Sequence, residues 1–183
     1  MKSLKIVFFA TADFAVPSLN ALVESRHDVL AVVTAPDKPA GRGKQLRQSP
    51  VKEYAAENNM QVLQPEKLRD GTFLKELKSF DADLFVVVAF RMLPELVWNM
   101  PPKGTVNLHA SLLPQYRGAA PVNHVILNGE KETGVSVFQL SHTIDTGDVI
   151  LRERTPIHEN ENAGSLHDRL MHIGAKTLCR AID

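Results

Sequence analysis

Residues 4–34, with the sequence LKIVFFATADFAVPSLNALVESRHDVLAVVT, decide the fold of this chain. The apolar runs at 4–10 and 28–34 are short and rich in β-branched and aromatic residues, which predicts two buried strands. Residues 15–25 between them follow the helical period, and Asp13 is a candidate cap for that helix. A strand, a helix and a strand within about 30 residues form a βαβ unit, so the two strands are expected to pair in parallel. The predicted apolar face of the helix contains Val16, Leu19, Leu22 and Val23.

The rest of the chain continues this alternation of strands and amphipathic helices. The alternating polar and apolar residues at 134–140 indicate a half-buried strand, whereas 35–50, with three prolines and two glycines, predicts a long functional loop. The fold class is therefore α/β, with a doubly wound and mostly parallel sheet. Ligands of such sheets bind beyond the carboxyl ends of the strands, so functional residues are expected after positions 10, 90, 109 and 140. Helices are predicted at 51–58, 71–80, 119–128 and 164–183, and the other strands at 61–63, 83–90, 106–109 and 149–154.

Composition and charge exclude several classes of protein. The 183 residues suit one domain, and 21 basic against 21 acidic side chains exclude a uniformly basic nucleic-acid binder. The apolar run at 6–10 is shorter than a secretory signal needs, and no run reaches the roughly 20 residues that span a bilayer. Cys179 is the single cysteine and cannot form an internal disulfide, which indicates a reducing compartment. We therefore expect a soluble, cytoplasmic monomer with no membrane contact.

The signatures of several common α/β chemistries do not occur in the sequence. No G-x-G-x-x-G pattern follows the first strand, which disfavours a dinucleotide-dependent dehydrogenase. Residues 41–44 lack the earlier glycine and the following Ser or Thr of a P-loop, and no G-x-S-x-G elbow occurs. The seven histidines do not fall in a metal-ligand spacing, so no metal is expected. His167 and His172, five apart on a predicted helix, are interpreted as surface or helix-end residues.

The segment 107–148 carries the remaining candidate chemistry. Asn107 and His109 lie two apart in a predicted strand and therefore project from the same face. Such a polar pair indicates a reactive site, but an edge strand with one solvated face explains it equally well. The sequence SLLP at 111–114 suits either a flat aromatic ligand or an ordinary connector, and Asp145 in D-T-G-D suits either a site or a turn.

These pieces together form a specific pattern. N-x-H-x-S-L-L-P, followed by Y-R-G-A-A-P and I-D-T-G-D, resembles the folate-dependent formyltransferase family over nearly the whole chain. The stretch PDKPAGRGKQLRQSPVK at 36–52 resembles the acceptor loop of the branch whose acceptor is methionyl initiator tRNA. The family usually has Gly and Pro where this chain has Ala10 and Ala12, a difference that is expected to change the backbone of that turn.

The resemblance implies a Rossmann-like formyltransferase fold and transfer of a formyl group from 10-formyltetrahydrofolate to the α-amino group of the charged tRNA. It also implies that residues 1–183 are the catalytic domain, without the smaller β-rich domain that follows it in the family. The catalytic residues that it implies are Asn107, His109 and Asp145. The implied folate contacts are Ser111, Leu112, Leu113 and Pro114, together with Phe90, Arg91, Met92 and Leu93. The implied tRNA contacts are Lys38, Arg42, Lys44 and Arg47, with Arg42 the strongest single candidate because it stands between two glycines.

Elementary chemistry agrees with these roles. When an amine attacks the formyl carbon directly, an oxyanion develops at the tetrahedral centre, and the Asn107 amide and the His109 imidazolium are suitable donors to it. Asp145 can keep His109 charged and accept the proton of the amine, and holding amine and donor together lowers the barrier without a covalent enzyme intermediate. Three alternatives remain open. They are a formyltransferase for a nucleotide or amino-sugar amine, a formyltetrahydrofolate deformylase in which water attacks, and a folate-binding module with little activity.

Overall fold

The computed structural model describes residues 2–40 and 45–183, and its centre is a seven-stranded sheet in the order β5-β2-β1-β6-β7-β8-β9. Strands β1, β2, β5, β6 and β7 pair in parallel, whereas β8 and β9 add to one edge in antiparallel fashion. The prediction of a doubly wound, mostly parallel sheet is confirmed. The strands of this sheet are β1 (Lys5–Ala10), β2 (Asp28–Val33), β5 (Val62–Leu63), β6 (Leu84–Val88), β7 (Thr105–His109), β8 (Glu132–Gln139) and β9 (Val149–Pro156).

Helices cover both faces of the sheet because its central strands are apolar on both sides. In β1, Ile6 and Phe8 pack towards one face, and Val7 and Phe9 pack towards the other. We call the first the α6 face, which is covered by α1, α2, α5 and α6, and the second the α3 face, which is covered by α3 and α4. The helices are α1 (Val16–Val23), α2 (Pro50–Glu57), α3 (Gly71–Ser79), α4 (Glu95–Trp98), α5 (Pro121–Leu127) and α6 (Ala163–Ile182).

The turn after β1 differs from two expectations. Asp13 lies inside a 3-10 turn (Asp13–Ala15), and Ala15, which has no capping side chain, precedes α1, so the predicted Asp13 cap is wrong. Val23 is 39% exposed and does not belong to the buried face of α1, which is formed around Leu19 and Leu22. Ala10, at the position of the family's glycine, is the last residue of β1 and is not among the residues with a positive φ, so it needs no left-handed conformation. Ala12, at the position of the family's proline, has an extended backbone with φ −79°, which is close to the φ that proline requires.

Strand β8 is fully buried along its centre rather than half-buried. Val135 and Val137 face α6, while Ser136 on the opposite side hydrogen bonds to the backbone of Ser111 and Leu113. A Cβ at Gly134 would collide with Leu112 and with the backbone of β9. The polar and apolar residues of 134–140 do point to opposite faces, but the loop at 111–114 covers the polar face, so it does not meet solvent.

Residues 35–50 are not a simple loop. Strands β3 (Lys38–Ala40) and β4 (Gln45–Arg47) pair in antiparallel fashion as a separate two-stranded sheet. The base of this hairpin is fixed by Lys52, whose Nζ lies 2.6 Å from Asp37 Oδ2, and that contact lowers the pKa of the Asp37 carboxyl. Within residues 2–40 and 45–183, no helix combines the length and the apolar character that crossing a membrane requires.

Candidate active site

A cavity of about 680 Å³ lies at the point where the chain order of the sheet reverses. The chain runs from β1 to β2 on one side and returns to β6 on the other side of β1, which leaves a crevice beyond the carboxyl ends of β1 and β6. The sequence analysis predicted functional residues after positions 10, 90, 109 and 140, and residues that follow all four positions line the cavity. Its lining comes from residues 12 and 14, residues 87 and 89–93, residues 107–110, residues 118–122, residues 140–145, Trp98 and His167.

The cavity extends onto both faces of the sheet. At what we call the α3 end, the walls are apolar and include the aromatic rings of Phe90 and Trp98. At what we call the α6 end, Phe14 and Val122 line the cavity together with His167 of α6. Two compartments, each lined from a different core, therefore meet at the carboxyl edge of the sheet.

Strand β7 places Asn107 and His109 on one face, as the two-residue spacing predicted. Val106 and Leu108 between them pack into the core of the α6 face, so the polar pair projects from the opposite side and lines the cavity. In the pairing with β6, Asn107 lies beside Val87, which also lines the cavity. The pair therefore belongs to a buried strand, because β7 is flanked by β6 and β8, and the alternative of an edge strand is wrong.

The ring of His109 has one nitrogen fixed by a hydrogen bond. Its Nε2 lies 2.8 Å from the backbone oxygen of Tyr116, and because a carbonyl oxygen only accepts, Nε2 carries a proton. The other nitrogen, Nδ1, lies 3.9 Å from Asp145 Oδ2, which is an ion-pair distance but longer than a hydrogen bond. The side chains of His109 and Asp145 are only about a tenth exposed, at 10% and 11%.

Asp145 reaches this site from an unexpected direction. Strand β8 is antiparallel to β7, so its end lies beside the start of β7, where the N–H of Leu140 donates to Thr105. Residues 140–145 then return past the ring of Trp98, which meets His142 edge to face. Asp145 itself has a φ of +52°, and its Oδ2 accepts a hydrogen bond of 2.8 Å from the backbone N–H of Gly118.

The turn that follows β7 supports both titratable side chains of the site. Arg117 Nε donates to the backbone oxygen of Asp145 at 2.8 Å, so residues 116–118 hold His109 and Asp145 together. The phenol of Tyr116 donates to Glu130, and that hydrogen bond raises the pKa of Tyr116. Tyr116 therefore stabilises the turn as a neutral phenol and does not act as a base.

Backbone strain is concentrated around the cavity. Among the residues that the structure describes, six other than glycine have a positive φ. Ala89, Ala120 and Asp145 of this group line the cavity, and Tyr116 holds His109 through its backbone oxygen. Strained conformations of this kind persist where the surrounding structure fixes them, and they cluster at functional sites.

The two groups of predicted folate contacts lie in different places. Phe90, Arg91, Met92 and Leu93 line the cavity. The guanidinium of Arg91 donates to the backbone oxygens of Pro65 and Glu66 and lies 5.6 Å from the centre of the Phe90 ring. Arg91 therefore joins two loops and supports the Phe90 wall.

Residues Ser111, Leu112, Leu113 and Pro114 lie outside the lining of the cavity. Ser111 and Leu113 are buried, and Ser136 Oγ joins them by donating to the Ser111 oxygen at 2.7 Å and accepting from the Leu113 N–H at 3.0 Å. The Ser111 hydroxyl also donates to the backbone of Gln115, just before the turn that holds His109. None of these four residues lines the cavity, and Ser111, Leu112 and Leu113 pack against β8, so their direct contact with folate stays a prediction.

The predicted tRNA contacts are partly visible. Lys38 and Arg47 are exposed and lie opposite each other in the β3–β4 hairpin. Arg42 and Lys44 lie outside the described residues.

The sequence analysis did not predict several of the lining residues, His167 among them. His167 was interpreted as a surface helix residue, but it lines the cavity and its ring meets Phe14 at a centroid distance of 5.3 Å. Its neighbours in α6 follow an ordinary amphipathic period, which gives no sign of this role. No group of three metal-ligating side chains is present in the part of the chain that the structure describes.

Curated relatives match the chain over its full length. Proteins called methionyl-tRNA formyltransferase are 54% identical in Bacteroides fragilis, 55% in Bacteroides thetaiotaomicron and 53% in Porphyromonas gingivalis, each over 182 residues. The alignments cover 100% of this chain but 56% of each relative. The chain thus spans a little over half the length of the curated relatives that it matches.

Solved structures share the fold at low sequence identity. A phosphoribosylglycinamide formyltransferase from Bacillus halodurans aligns with a TM-score of 0.82 at 18% identity, covering 97% of this chain and 93% of that one. A formyltetrahydrofolate deformylase from Pseudomonas syringae pv. tomato aligns with a TM-score of 0.78 at 16% identity, covering 99% of this chain and 60% of that one. A family model described as formyl transferase matches residues 4–182, which include the whole sheet and every residue of the cavity. On this match and on the relatives that share more than half of its residues, the chain belongs to the formyl transferase family.

Proposed function

We propose that this chain transfers a formyl group from 10-formyltetrahydrofolate to the α-amino group of methionyl initiator tRNA. The observation that carries the proposal is the placement of Asn107, His109 and Asp145 in one cavity where two compartments meet. Relatives that share more than half of its residues bear the name methionyl-tRNA formyltransferase, which supports this acceptor over the nucleotide and amino-sugar acceptors.

The α3 end of the cavity suits the folate donor. A pterin is flat and aromatic and has polar edges, and pockets for such ligands combine apolar walls with a few fixed polar groups. Phe90, Trp98 and Leu140 supply apolar walls at this end, and residues 89–93 line the cavity beside them. We assign the donor to this end and leave Ser111, Leu112, Leu113 and Pro114 as supports of the loop.

The protonation of His109 limits its role. Because Nε2 donates to the Tyr116 oxygen, Nδ1 is the nitrogen that remains for the reaction, and it faces Asp145. A protonated Nδ1 donates to the oxyanion together with the Asn107 amide, and the Asp145 carboxylate stabilises the imidazolium.

Asp145 also takes part in moving the proton. As the amine nitrogen bonds to the formyl carbon, Asp145 accepts a proton from that nitrogen, directly or through one water molecule. The bond from the formyl carbon to the folate nitrogen then breaks, and the proton passes to that nitrogen. The products are the formylated amine and tetrahydrofolate, so atoms and charge balance without a covalent enzyme intermediate.

The acceptor is expected to reach the site past the β3–β4 hairpin. Lys38 and Arg47 are exposed cations there. Arg42 and Lys44 lie between them in the sequence. Clustered cations bind nucleic-acid phosphates with strong salt dependence. This local charge supports a tRNA partner even though the net charge of the whole chain is zero.

The domain assignment remains a prediction. The curated relatives are nearly twice as long as the matched region, and we propose that residues 1–183 correspond to their catalytic half. The proposal that this half acts as a monomer also remains to be tested by its mass in solution.

The direct test follows the fate of the formyl group. The 183-residue chain is incubated with 10-formyltetrahydrofolate that is labelled in the formyl carbon. Three reactions are compared, which contain methionyl initiator tRNA, glycinamide ribonucleotide or no acceptor. We expect label on the α-amino nitrogen of the tRNA and little label on the nucleotide. Label on the nucleotide alone contradicts the acceptor, release of formate without an acceptor indicates a deformylase, and folate binding without release or transfer indicates a binding module.

A further inference from the structure

His167 forms a wall of the α6 end of the cavity, which the reaction described above does not use. It projects from α6 towards the turn after β1, where its ring packs edge to face on Phe14 with an angle of 61° between the rings. Ala12, Ala120 and Val122 complete the lining around this pair. The compartment is therefore lined mostly by small apolar side chains and by the Phe14 ring, and the imidazole of His167 is its polar group.

Two carboxylates lie against the imidazole of His167. Its Nε2 is 3.8 Å from Asp13 Oδ1, and its Nδ1 is 3.1 Å from Asp168 Oδ1. Both carboxylates are exposed, at 71% and 72% of their side chains, so they place negative charge at the rim. These two carboxylates repel a ligand group that carries a phosphate or a carboxylate. An uncharged group attached to the acceptor amine is not repelled.

The division of the cavity decides what the compartment receives. The amine must meet the formyl carbon beside His109 and Asp145, where the two ends join. With the folate donor at the α3 end, the group attached to the amine lies towards the α6 end. In an aminoacyl ester the α-carbon beside the amine carries both the amino-acid side chain and the ester to the tRNA. Because the carboxylates beside His167 disfavour the phosphates of the tRNA, we assign the side chain to this end.

We propose that His167 is a specificity-determining residue that, with Phe14, contacts the side chain of the aminoacyl acceptor. The compartment takes an uncharged, flexible apolar side chain and rejects an amine that carries a phosphate close to it. This inference rests on the proposed function, because it assumes that the amine belongs to an aminoacyl ester.

The test measures acceptor preference rather than activity alone. Initiator tRNA is charged with methionine, valine or phenylalanine, and kcat/KM for formylation is measured for His167→Ala, His167→Phe and the unchanged chain. Opening the wall is expected to reduce the preference for methionine over phenylalanine by about 10-fold, the scale on which an apolar pocket distinguishes side chains. His167→Phe keeps a ring against Phe14 and is expected to keep most of the preference. His172→Ala, an exposed position on the same helix, is the matched control and leaves the preference unchanged.

A second variant tests the rim charge without touching a buried position. Asp13→Lys is expected to make inorganic phosphate a several-fold stronger inhibitor than it is for the unchanged chain, because the substitution reverses the charge beside His167.

Each failure has a distinct signature. Equal kcat/KM losses for all three charged tRNAs in His167→Ala, or no change, overturn the specificity role while the proposed function stands. Unchanged phosphate inhibition in Asp13→Lys overturns the rejection of phosphate by the rim. If the unchanged chain formylates none of the three tRNAs, the proposed function fails and this inference fails with it.

Discussion

At the scale of single residues, His109 combines one firm contact with one loose contact. The hydrogen bond from Nε2 to Tyr116 fixes the ring, whereas the 3.9 Å gap from Nδ1 to Asp145 leaves that nitrogen able to engage a third group. Asp145 is likewise held by the N–H of Gly118 and by Arg117 rather than by His109. The two side chains are thus held by neighbouring residues of one turn and not by each other, so each one can be changed while the hydrogen bonds of its partner are kept.

Substitution of the three predicted catalytic residues is expected to reduce turnover without preventing folding. Asn107→Ala and His109→Ala each remove a donor to the oxyanion, which costs about 10²–10³ in kcat in comparable sites. Asp145→Asn keeps an oxygen that accepts from Gly118 but loses the negative charge, so kcat falls while the loop is retained. Formyl transfer and folate binding are measured in parallel, with Asp148→Asn as an exposed control in the same loop. Full formyl transfer by His109→Ala would contradict its assigned role.

At the scale of elements, the β3–β4 hairpin concentrates charge that the sequence spreads over many positions. Lys38 and Arg47 are directly opposite in the antiparallel pair, so their side chains project from the same face of the hairpin. Asp37 does not neutralise them, because its carboxylate is paired with Lys52. Leu46 in the same hairpin is 68% exposed, so this element presents both charge and apolar surface to a partner.

Reversing these charges is expected to weaken tRNA binding and to reduce its salt dependence. Lys38→Glu and Arg47→Glu should each make the negative slope of log K against log salt less steep by about one, because one phosphate contact is lost. The sequence predicts the same direction for Arg42→Ala. Binding is measured by titration at several salt concentrations, with the exposed Lys75→Glu on α3 as the control. Equal slopes for the hairpin variants and the control would remove the hairpin from the tRNA-binding surface.

At the scale of the whole molecule, one sheet holds two apolar cores and the cavity between them. Phe8 and Phe9 are adjacent in β1 and both fully buried, but they belong to the cores on opposite faces. The cavity walls are continuations of these cores, since Phe14 and Val122 extend one and Phe90 and Leu93 adjoin the other. The positions of the α3 end and the α6 end relative to each other are therefore fixed by the sheet that both cores share.

Because both cores share one sheet, the chain is expected to unfold in one transition. Phe8→Ala and Phe9→Ala should each lower the free energy of unfolding by about 3–5 kcal/mol, the usual range for a buried phenylalanine. Urea denaturation, monitored by circular dichroism and by tryptophan fluorescence, measures the number of transitions and the free energy of unfolding. Leu127→Ala is the control, because Leu127 is 79% exposed. Two separate transitions, or a variant in which only one probe shifts, would show that the faces are independent.

Much of this arrangement could be predicted from local patterns. The apolar runs and the helical period at 4–34 predicted the βαβ unit, because a strand or a helix buries the residues that its own period brings to one face. The two-residue spacing of Asn107 and His109 placed them together for the same reason. The resemblance to the family then indicated Asp145, which has no local pattern that separates it from an ordinary turn.

The sequence by itself determined the seven strands of the main sheet, most of the helices and the shared face of Asn107 and His109, since these depend on neighbours along the chain. It did not predict α4 or the β3–β4 pair. Only the tertiary structure decided that the loop at 111–114 covers β8, that Asp145 returns along the sheet to His109, and that His167 joins the cavity. Each of these depends on which distant element covers a given face. Residue periodicity cannot report this, because it describes what a segment needs to bury and not what buries it.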